Sequence, residues 1–179
     1  MAARRRQVAP DVAQAAAEAV AAAVVADPRV RSVRRVALYA AVGGELPTRP
    51  LFDALEGVGG ARLLPRVRIW QLEWVATDRW DALVPGRWGI PEPPGVAESP
   101  PAAGDVVLLP GLAFDAAGFR LGRGGGFYDR AFRSTASAPW LIGVGYAFQC
   151  VEAVPHDSRD RRVDAIVTER GLVWRARTG

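Results

Sequence analysis

The sequence predicts a single α/β domain over residues 1–179, in which a largely parallel sheet is flanked by helices. Short apolar runs typical of buried strands recur along the chain, among them residues 35–40 (RVALYA) and 140–146 (WLIGVGY). Segments of helical composition separate these runs, and such alternation is typical of parallel sheets. The length allows one substantial core, and no repeat or linker divides the chain.

The first half of the chain gives the clearest helix signals. Residues 11–26 contain no glycine and stop at Asp27-Pro28, which predicts a helix. The strand at 35–40 leads into a loop, after which Thr48 is expected to cap a helix that runs through Glu56.

The second half is divided by glycine and proline. Six prolines within residues 85–104 predict a long ordered loop, and a short helix is expected at about 127–133. Residues 71–77 alternate and predict an edge strand or a hairpin arm. Residues 147–153 are expected to form a short helical or irregular link. Further strands are expected at residues 61–64, 105–109, 140–146, 164–168 and 172–174.

Composition excludes several kinds of chemistry. The net charge is +4 and all 23 basic residues are arginine, so neither a lysine Schiff base nor a P-loop lysine is available. The arginines are scattered, so nucleic-acid binding is not expected. With Cys150 as the only cysteine and His156 as the only histidine, intrachain disulfides and multi-histidine metal sites are excluded.

The N-terminal segment is interpreted as an amphipathic helix. Arg4-Arg5-Arg6 precedes an Ala/Val-rich stretch, but charged residues interrupt that stretch too early for the core of a signal peptide. No run reaches the roughly 18 apolar residues of a membrane span. A cytoplasmic protein without a membrane partner is therefore expected, and a monomer.

The segment from Gly111 to Arg130 predicts a phosphate-binding loop. It follows an apolar strand and places glycines 122, 124, 125 and 126 close to two arginines, Arg120 and Arg123. Glycine lets backbone N–H groups approach an anion, and arginine adds forked, fully charged donors. Asp129 would repel a bare phosphate but could hold a Mg²⁺ ion bound to one. The loop after residues 35–40, which contains Glu45, is expected to face the same cleft, because ligands bind at the carboxyl ends of parallel strands.

Ordered motifs along residues 35–170 resemble the 5-formyltetrahydrofolate cyclo-ligases, also called methenyltetrahydrofolate synthetases. The longest match runs from Pro110 to Arg130 and ends in RLGRGGGFYDR. The other matching segments, in chain order, are Gly44-Glu45-Leu46-Pro47-Thr48, Leu64-Pro65-Arg66-Val67, Trp88-Gly89-Ile90-Pro91-Glu92-Pro93 and Asp164-Ala165-Ile166-Val167-Thr168, with Gln149, Val154-Pro155 and Asp160 between the last two.

The resemblance implies a Rossmann-like fold of the sugar-isomerase and CoA-transferase type. It also implies ATP-dependent conversion of 5-formyltetrahydrofolate to 5,10-methenyltetrahydrofolate, with Mg²⁺ as cofactor and ATP as co-substrate. By the same resemblance Arg120 and Arg123 are catalytic. The loop that would bind ATP comprises Arg120, Leu121, Gly122, Arg123, Gly124, Gly125, Gly126, Phe127 and Tyr128.

The resemblance also assigns folate and metal ligands. Folate would contact Glu45 and Trp88 and, on the glycine-rich loop, Arg123, Gly124, Gly125, Gly126 and Phe127. Mg²⁺ would be held by Asp129 and Asp160. Each residue also has a plain structural interpretation: Glu45 as a solvated loop residue, Trp88 as packing, Asp129 as a helix-start charge, and Asp160 as the surface partner of a neighbouring arginine.

Three departures from the family pattern bear on nucleotide binding. The usual N-terminal K-x-x-L-R element, which contacts ATP, has no counterpart, Phe127 replaces a usual tyrosine, and Arg159 replaces a frequent histidine. Two other functions therefore stay open. One is a non-catalytic member of the fold that binds nucleotide or RNA; the other is a sugar-phosphate isomerase, for which only Asp115 and Asp129 offer a base near the loop.

Overall fold

The computed structural model describes residues 1–58, 60–133 and 138–175. Its α-helices are α1 (Ala2–Arg6), α2 (Pro10–Ala26), α3 (Pro28–Arg31), α4 (Arg49–Ala54) and α5 (Phe127–Ala131). Its strands are β1 (Arg35–Ala37), β2 (Ala61–Arg68), β3 (Gln71–Ala76), β4 (Val84–Pro85), β5 (Pro91–Glu92), β6 (Ala97–Glu98), β7 (Val106–Pro110), β8 (Ala113–Asp115), β9 (Arg120–Leu121), β10 (Trp140–Val144), β11 (Cys150–Val151), β12 (Ala165–Thr168) and β13 (Gly171–Trp174). Short 3₁₀ turns lie at Trp80–Ala82, Arg87–Gly89 and Ala147–Gln149.

Eight of these strands form one sheet in the order β13-β12-β10-β7-β1-β2-β3-β6. The five central strands, β12 to β2, pair in parallel, whereas β13, β3 and β6 add antiparallel edges. The mixed α/β fold with a mostly parallel sheet is thus confirmed. Two small sheets, β11-β8-β9 and β4-β5, lie apart from it.

Both faces of the central sheet are buried. Along β7 the side chains alternate, so that Val106 and Leu108 join one apolar cluster and Val107 and Leu109 join the other. The first cluster lies under α2 and α4, and the second contains Trp74 and Phe132. This double burial explains why the central strands appear in the sequence as continuous apolar runs.

The hairpin arm expected at residues 71–77 is confirmed as β3, which pairs with β2 on one side and with β6 on the other. Two other expectations about the elements were wrong in detail. The loop at 85–104 contains two short strands, β5 and β6. Thr48 is the N-cap residue of α4, but its side chain makes no capping hydrogen bond among the described residues: its hydroxyl donates to the Tyr39 carbonyl and accepts a hydrogen bond from the Ala41 amide, 3.2 Å away.

In the part of the chain that the structure describes, no helix has the length and apolar character needed to cross a membrane.

Candidate active site

A cavity of ≈420 Å³ opens at the carboxyl ends of the parallel strands. The segments after β1 and β7 and the glycine-rich loop all line it. The structure therefore brings the loop that contains Glu45 and the glycine-rich loop to one cleft, as expected for segments that follow the carboxyl ends of parallel strands. Every member of the predicted ATP loop except Leu121 and Gly124 lines this cavity, as do Glu45, Trp88 and Asp129.

The glycine-rich loop depends on left-handed backbone at two positions. Gly124 has φ +84° and Gly126, which precedes α5, has φ +59°. A side chain is strained in this region of backbone conformation, so glycine is favoured at both positions. A Cβ on Gly122, by contrast, would meet no atom within 4 Å, so Gly122 leaves open space beside the cavity.

Arg120 forms a forked ion pair with Asp129. Its Nη2 lies 2.9 Å from Asp129 Oδ1 and 3.0 Å from Oδ2, and its Nη1 donates to the Pro110 carbonyl over 3.2 Å. Only 5% of the Arg120 side chain is exposed, and its Nε is buried without a hydrogen-bond partner among the described residues. Asp129, the expected metal ligand, thus serves here as the counter-ion of an expected phosphate ligand.

Arg123 joins the glycine-rich loop to the Glu45 loop. Its Nη2 lies 3.0 Å from Glu45 Oε1 and donates to the Val42 carbonyl at the same distance. Glu45 Oε2 accepts the Val42 amide over 3.0 Å, and only 8% of the Glu45 side chain is exposed. Burial raises the pKa of Glu45, and the Val42 hydrogen bond and two arginines, Arg123 and Arg5, oppose that rise. Glu45 is therefore not a solvated loop residue.

Trp88 and Phe127 meet at the mouth of the cavity. Their ring centroids are 5.8 Å apart in an edge-to-face arrangement, and Trp88 is 60% exposed. Arg87 stacks on Trp88 and donates to the Ile69 carbonyl, which connects the mouth to the β2–β3 hairpin tip. Trp88 is thus available to a ligand rather than packed in the core.

Asp160 lies in a different place from Asp129. It lines a second cavity, of ≈240 Å³, with Arg133, Ser158, Arg159 and Arg161, and its Oδ2 accepts the Asp157 amide over 2.8 Å. Among the described residues no group of three or more His, Cys, Asp or Glu side chains is arranged to hold a metal ion. The structure therefore does not bring the two predicted Mg²⁺ ligands to one cavity.

Asp115, the other candidate base for an isomerase, supports the backbone. Its carboxylate accepts the amides of Phe119 and Val154, each over 2.9 Å, and it is 5% exposed. Since both oxygens are engaged and buried, Asp115 is not available to remove a substrate proton.

Arg5 is a residue near the site that sequence reasoning missed. It is 3% exposed, and its Nη1 donates to the Gly111 carbonyl over 2.9 Å. The Gln149 side-chain amide donates to the same carbonyl over 2.8 Å. Nothing in the run Arg4-Arg5-Arg6 distinguishes its middle member, because the run by itself predicts a solvated helix face.

Comparisons with known proteins agree on one family. A model of the 5-formyltetrahydrofolate cyclo-ligase family matches residues 1–169. The 5-formyltetrahydrofolate cyclo-ligase of Escherichia coli K12 is 34% identical over 178 residues, which cover 96% of this chain and 97% of that protein. The enzyme of the same name from Mycolicibacterium smegmatis is 34% identical over 151 residues, 79% and 77% of the two chains.

Solved structures show the same architecture. The structure of Aquifex aeolicus 5,10-methenyltetrahydrofolate synthetase aligns with a TM-score of 0.83 at 31% identity, covering 99% of this chain and 90% of that one. The 5,10-methenyltetrahydrofolate synthetase of Mycoplasma pneumoniae aligns with a TM-score of 0.71 at 19% identity, covering 94% and 93%, and supports the fold.

Proposed function

The chain belongs to the 5-formyltetrahydrofolate cyclo-ligase family, and we propose that it converts 5-formyltetrahydrofolate and ATP to 5,10-methenyltetrahydrofolate, ADP and phosphate. One observation about the site supports this most directly. Two arginines on a glycine-rich loop, Arg120 and Arg123, line the same cavity as a buried carboxylate, Glu45. A single cleft thus offers donors for phosphate and an acceptor for a ring N–H.

The reaction needs positioning and charge neutralisation more than a strong base. The N5-formyl oxygen attacks the γ-phosphorus of ATP, and the bond between that phosphorus and the ADP oxygen breaks. N10 then attacks the activated formyl carbon and loses its proton, and the carbon–oxygen bond breaks as phosphate leaves. Phosphoryl transfer of this kind is accelerated chiefly by oriented charge, which a chain without lysine can supply through arginine.

On the nucleotide side, the proposed catalytic residues are Arg120 and Arg123, with backbone amides of residues 121–128. Arg120 is almost wholly buried and rigidly held, so its forked donors are oriented before the substrate arrives. Arg123 is half exposed, and its pairing with Glu45 is made by Nη2, so its side chain can turn toward phosphate at small cost in free energy.

The residues fit a Mg²⁺ ion that arrives with ATP rather than one held in a cage of protein ligands. Mg²⁺ typically takes one or two carboxylates together with phosphates, and Asp129 offers such a carboxylate within the cavity. When bound, the ion supplies neutralisation of phosphate charge. We propose Asp129 as its direct protein ligand; Asp160, which lines a separate cavity, would join it only through intervening water molecules.

On the folate side, Glu45 would accept N–H groups of the reduced pterin, and Trp88 would stack on the ring system with Phe127 beside it. Glycines 124–126 and Arg123 would form the wall shared by the two substrates.

We further propose a Rossmann-like fold of the sugar-isomerase and CoA-transferase type, a single domain over residues 1–179, and a cytoplasmic monomer that does not bind nucleic acid.

The test is turnover by the purified protein with Mg·ATP and 5-formyltetrahydrofolate, followed by the near-ultraviolet absorbance of the methenyl product. Arg120→Ala should lower kcat/KM about 10²–10³-fold, as expected for loss of an oriented donor. Arg31→Ala, a change at an exposed arginine of α3, is the matched control and should retain wild-type activity.

Absence of product above the Arg120→Ala background would contradict the proposal. Calorimetric titration then decides what remains. Binding of Mg·ATP without turnover would indicate the non-catalytic alternative, and salt-sensitive binding of RNA would indicate a nucleic-acid partner.

A further inference from the structure

Arg5 is an almost completely buried cation just behind the proposed active site. It lies on α1, whose neighbouring arginines, Arg4 and Arg6, are exposed, whereas Arg5 is 3% exposed. A buried guanidinium is costly unless it has partners, and the Nε of Arg5 is buried without one among the described residues. This cost calls for a compensating role.

The first contact of Arg5 reaches the nucleotide side of the cavity. Its Nη1 donates to the Gly111 carbonyl over 2.9 Å. Gly111 lines the cavity and packs so closely on Arg120 that an added Cβ would lie 3.0 Å from Arg120 Cγ. Arg5 therefore fixes the turn against which the stem of Arg120 rests.

The second contact of Arg5 reaches the folate side. Gly44 packs on the α1 backbone, since a Cβ there would lie 3.1 Å from the Arg5 carbonyl carbon. The next residue is Glu45, and Arg5 and Arg123 both act on it by charge. The ionisable groups that interact with Glu45 are Arg5, Arg123, Tyr39 and Tyr128.

Arg5 and Arg123, the two arginines that act on Glu45, differ in how exposed their side chains are and in how firmly they are held. Arg123 is half exposed and lies on the loop proposed to hold phosphate, so bound nucleotide would compete with Glu45 for it. Arg5 is buried and anchored to Gly111, so it stays in place. With Arg123 turned to phosphate, Arg5 is, within the described part of the chain, the cation that still acts on Glu45.

We propose that Arg5 is a positioning residue of this site: it fixes the Gly111 turn under Arg120 and holds a fixed positive charge behind the Gly44–Glu45 turn, where it stays when nucleotide draws Arg123 away. The role in turnover rests on the proposed function. The effect on Glu45 does not, because it can be measured in the free protein.

The direct test is an NMR titration of protein labelled with carboxyl-¹³C glutamate, in which Glu45→Gln identifies the Glu45 signal. Loss of a nearby cation disfavours the charged form of a carboxyl group, so Arg5→Gln should raise the pKa of Glu45. Arg5→Lys keeps the charge and should leave the pKa near its wild-type value. Arg6→Gln, one residue away on the exposed face, is the matched control. An unchanged pKa in Arg5→Gln would overturn the proposal.

Kinetics give the second readout. Arg5→Gln should lower kcat/KM about tenfold. In the pH profile of kcat/KM, the same change should move the acid limb to higher pH. Arg5→Lys should return that limb to its wild-type position. In a Glu45→Gln background the additional effect of Arg5→Gln on that limb should vanish. An undiminished effect there would show that Arg5 does not act through Glu45.

The outcomes keep the two proposals apart. A wild-type protein without turnover would contradict the proposed function, while the Glu45 titration would still decide the role of Arg5. If Arg5→Gln does not fold, Arg5→Lys decides instead: a Glu45 pKa raised by that change would overturn the proposal, since the charge is retained.

Discussion

Burial raises the pKa of Glu45 by more than the hydrogen bond and the two arginines beside it lower that pKa. Burial is the largest influence on its pKa and raises it, and the Arg123 pair that opposes this rise is half exposed and therefore weak. Because the folded-state pKa is raised, the folded protein takes up the Glu45 proton more readily than the unfolded chain does. Glu45 thus favours folding at low pH, and this contribution is lost as the pH rises through its folded-state pKa.

Glu45→Gln should therefore weaken folate binding without weakening the fold. At neutral pH its free energy of unfolding should equal or exceed that of the wild type, and the difference should shift in favour of the wild type as the pH falls toward 5. Denaturant unfolding at pH 5 to 8 measures this, with exposed Glu56→Gln as control. A Glu45→Gln protein that is clearly less stable at neutral pH would show that the ion pair, not burial, dominates.

Trp88 provides a second prediction at the residue scale, with a natural control. Trp88 and Trp70 are both largely exposed, at 60% and 66%, but only Trp88 lines the cavity. Stacking on an aromatic ligand is worth about 0.5–1.5 kcal/mol, so Trp88→Leu should raise the KM for 5-formyltetrahydrofolate by roughly twofold to tenfold. Trp70→Leu should leave the KM unchanged. Equal effects of the two changes would argue against stacking on Trp88.

At the scale of elements, the glycine-rich loop should respond differently at two of its positions. Gly126→Ala places a side chain in left-handed backbone before α5, with Cβ 3.0 Å from Arg130 Nη1, and should cost about 1–2 kcal/mol. For a chain of this size calorimetry should record a Tm lower by roughly 2–8 °C. Gly122→Ala, with open space and no positive φ, should leave the Tm unchanged, so any loss of activity there reports obstruction of a ligand. Equal losses of Tm would contradict this account.

Some of the strands and helices could be predicted from the sequence alone, and others could not. The central strands could be predicted because both faces of the sheet are buried, which leaves continuous apolar runs. The outer position of β6 could not, since Ala97–Glu98 is a two-residue strand with no pattern of its own. The capping role of Thr48 failed because its hydroxyl finds a tertiary partner, the Tyr39 carbonyl, that local sequence does not reveal.

At the scale of the whole molecule, residues far apart in the chain meet behind one cavity. The glycine-rich loop and Glu45 could be placed from the sequence, because strand ends in a parallel sheet share one edge. The pairing of Arg120 with Asp129 and the burial of Arg5 could not, because each depends on side-chain packing between separate segments. The site therefore combines segments that the sequence identifies with side-chain contacts that only the fold creates.

This assembly predicts that substrates stabilise the entire domain. A ligand at about one hundred times its Kd adds roughly 2.7 kcal/mol to the free energy of unfolding, which for a chain of this size raises the Tm by roughly 5–10 °C. A non-hydrolysable ATP analogue with Mg²⁺ should give such a shift, and 5-formyltetrahydrofolate should add to it, as differential scanning calorimetry can record. Arg120→Ala should lose most of the nucleotide shift and keep the folate shift, because Arg120 pairs with Asp129, whereas the pairing partner of Glu45 is Arg123. A full nucleotide shift in Arg120→Ala would place the nucleotide elsewhere on the molecule.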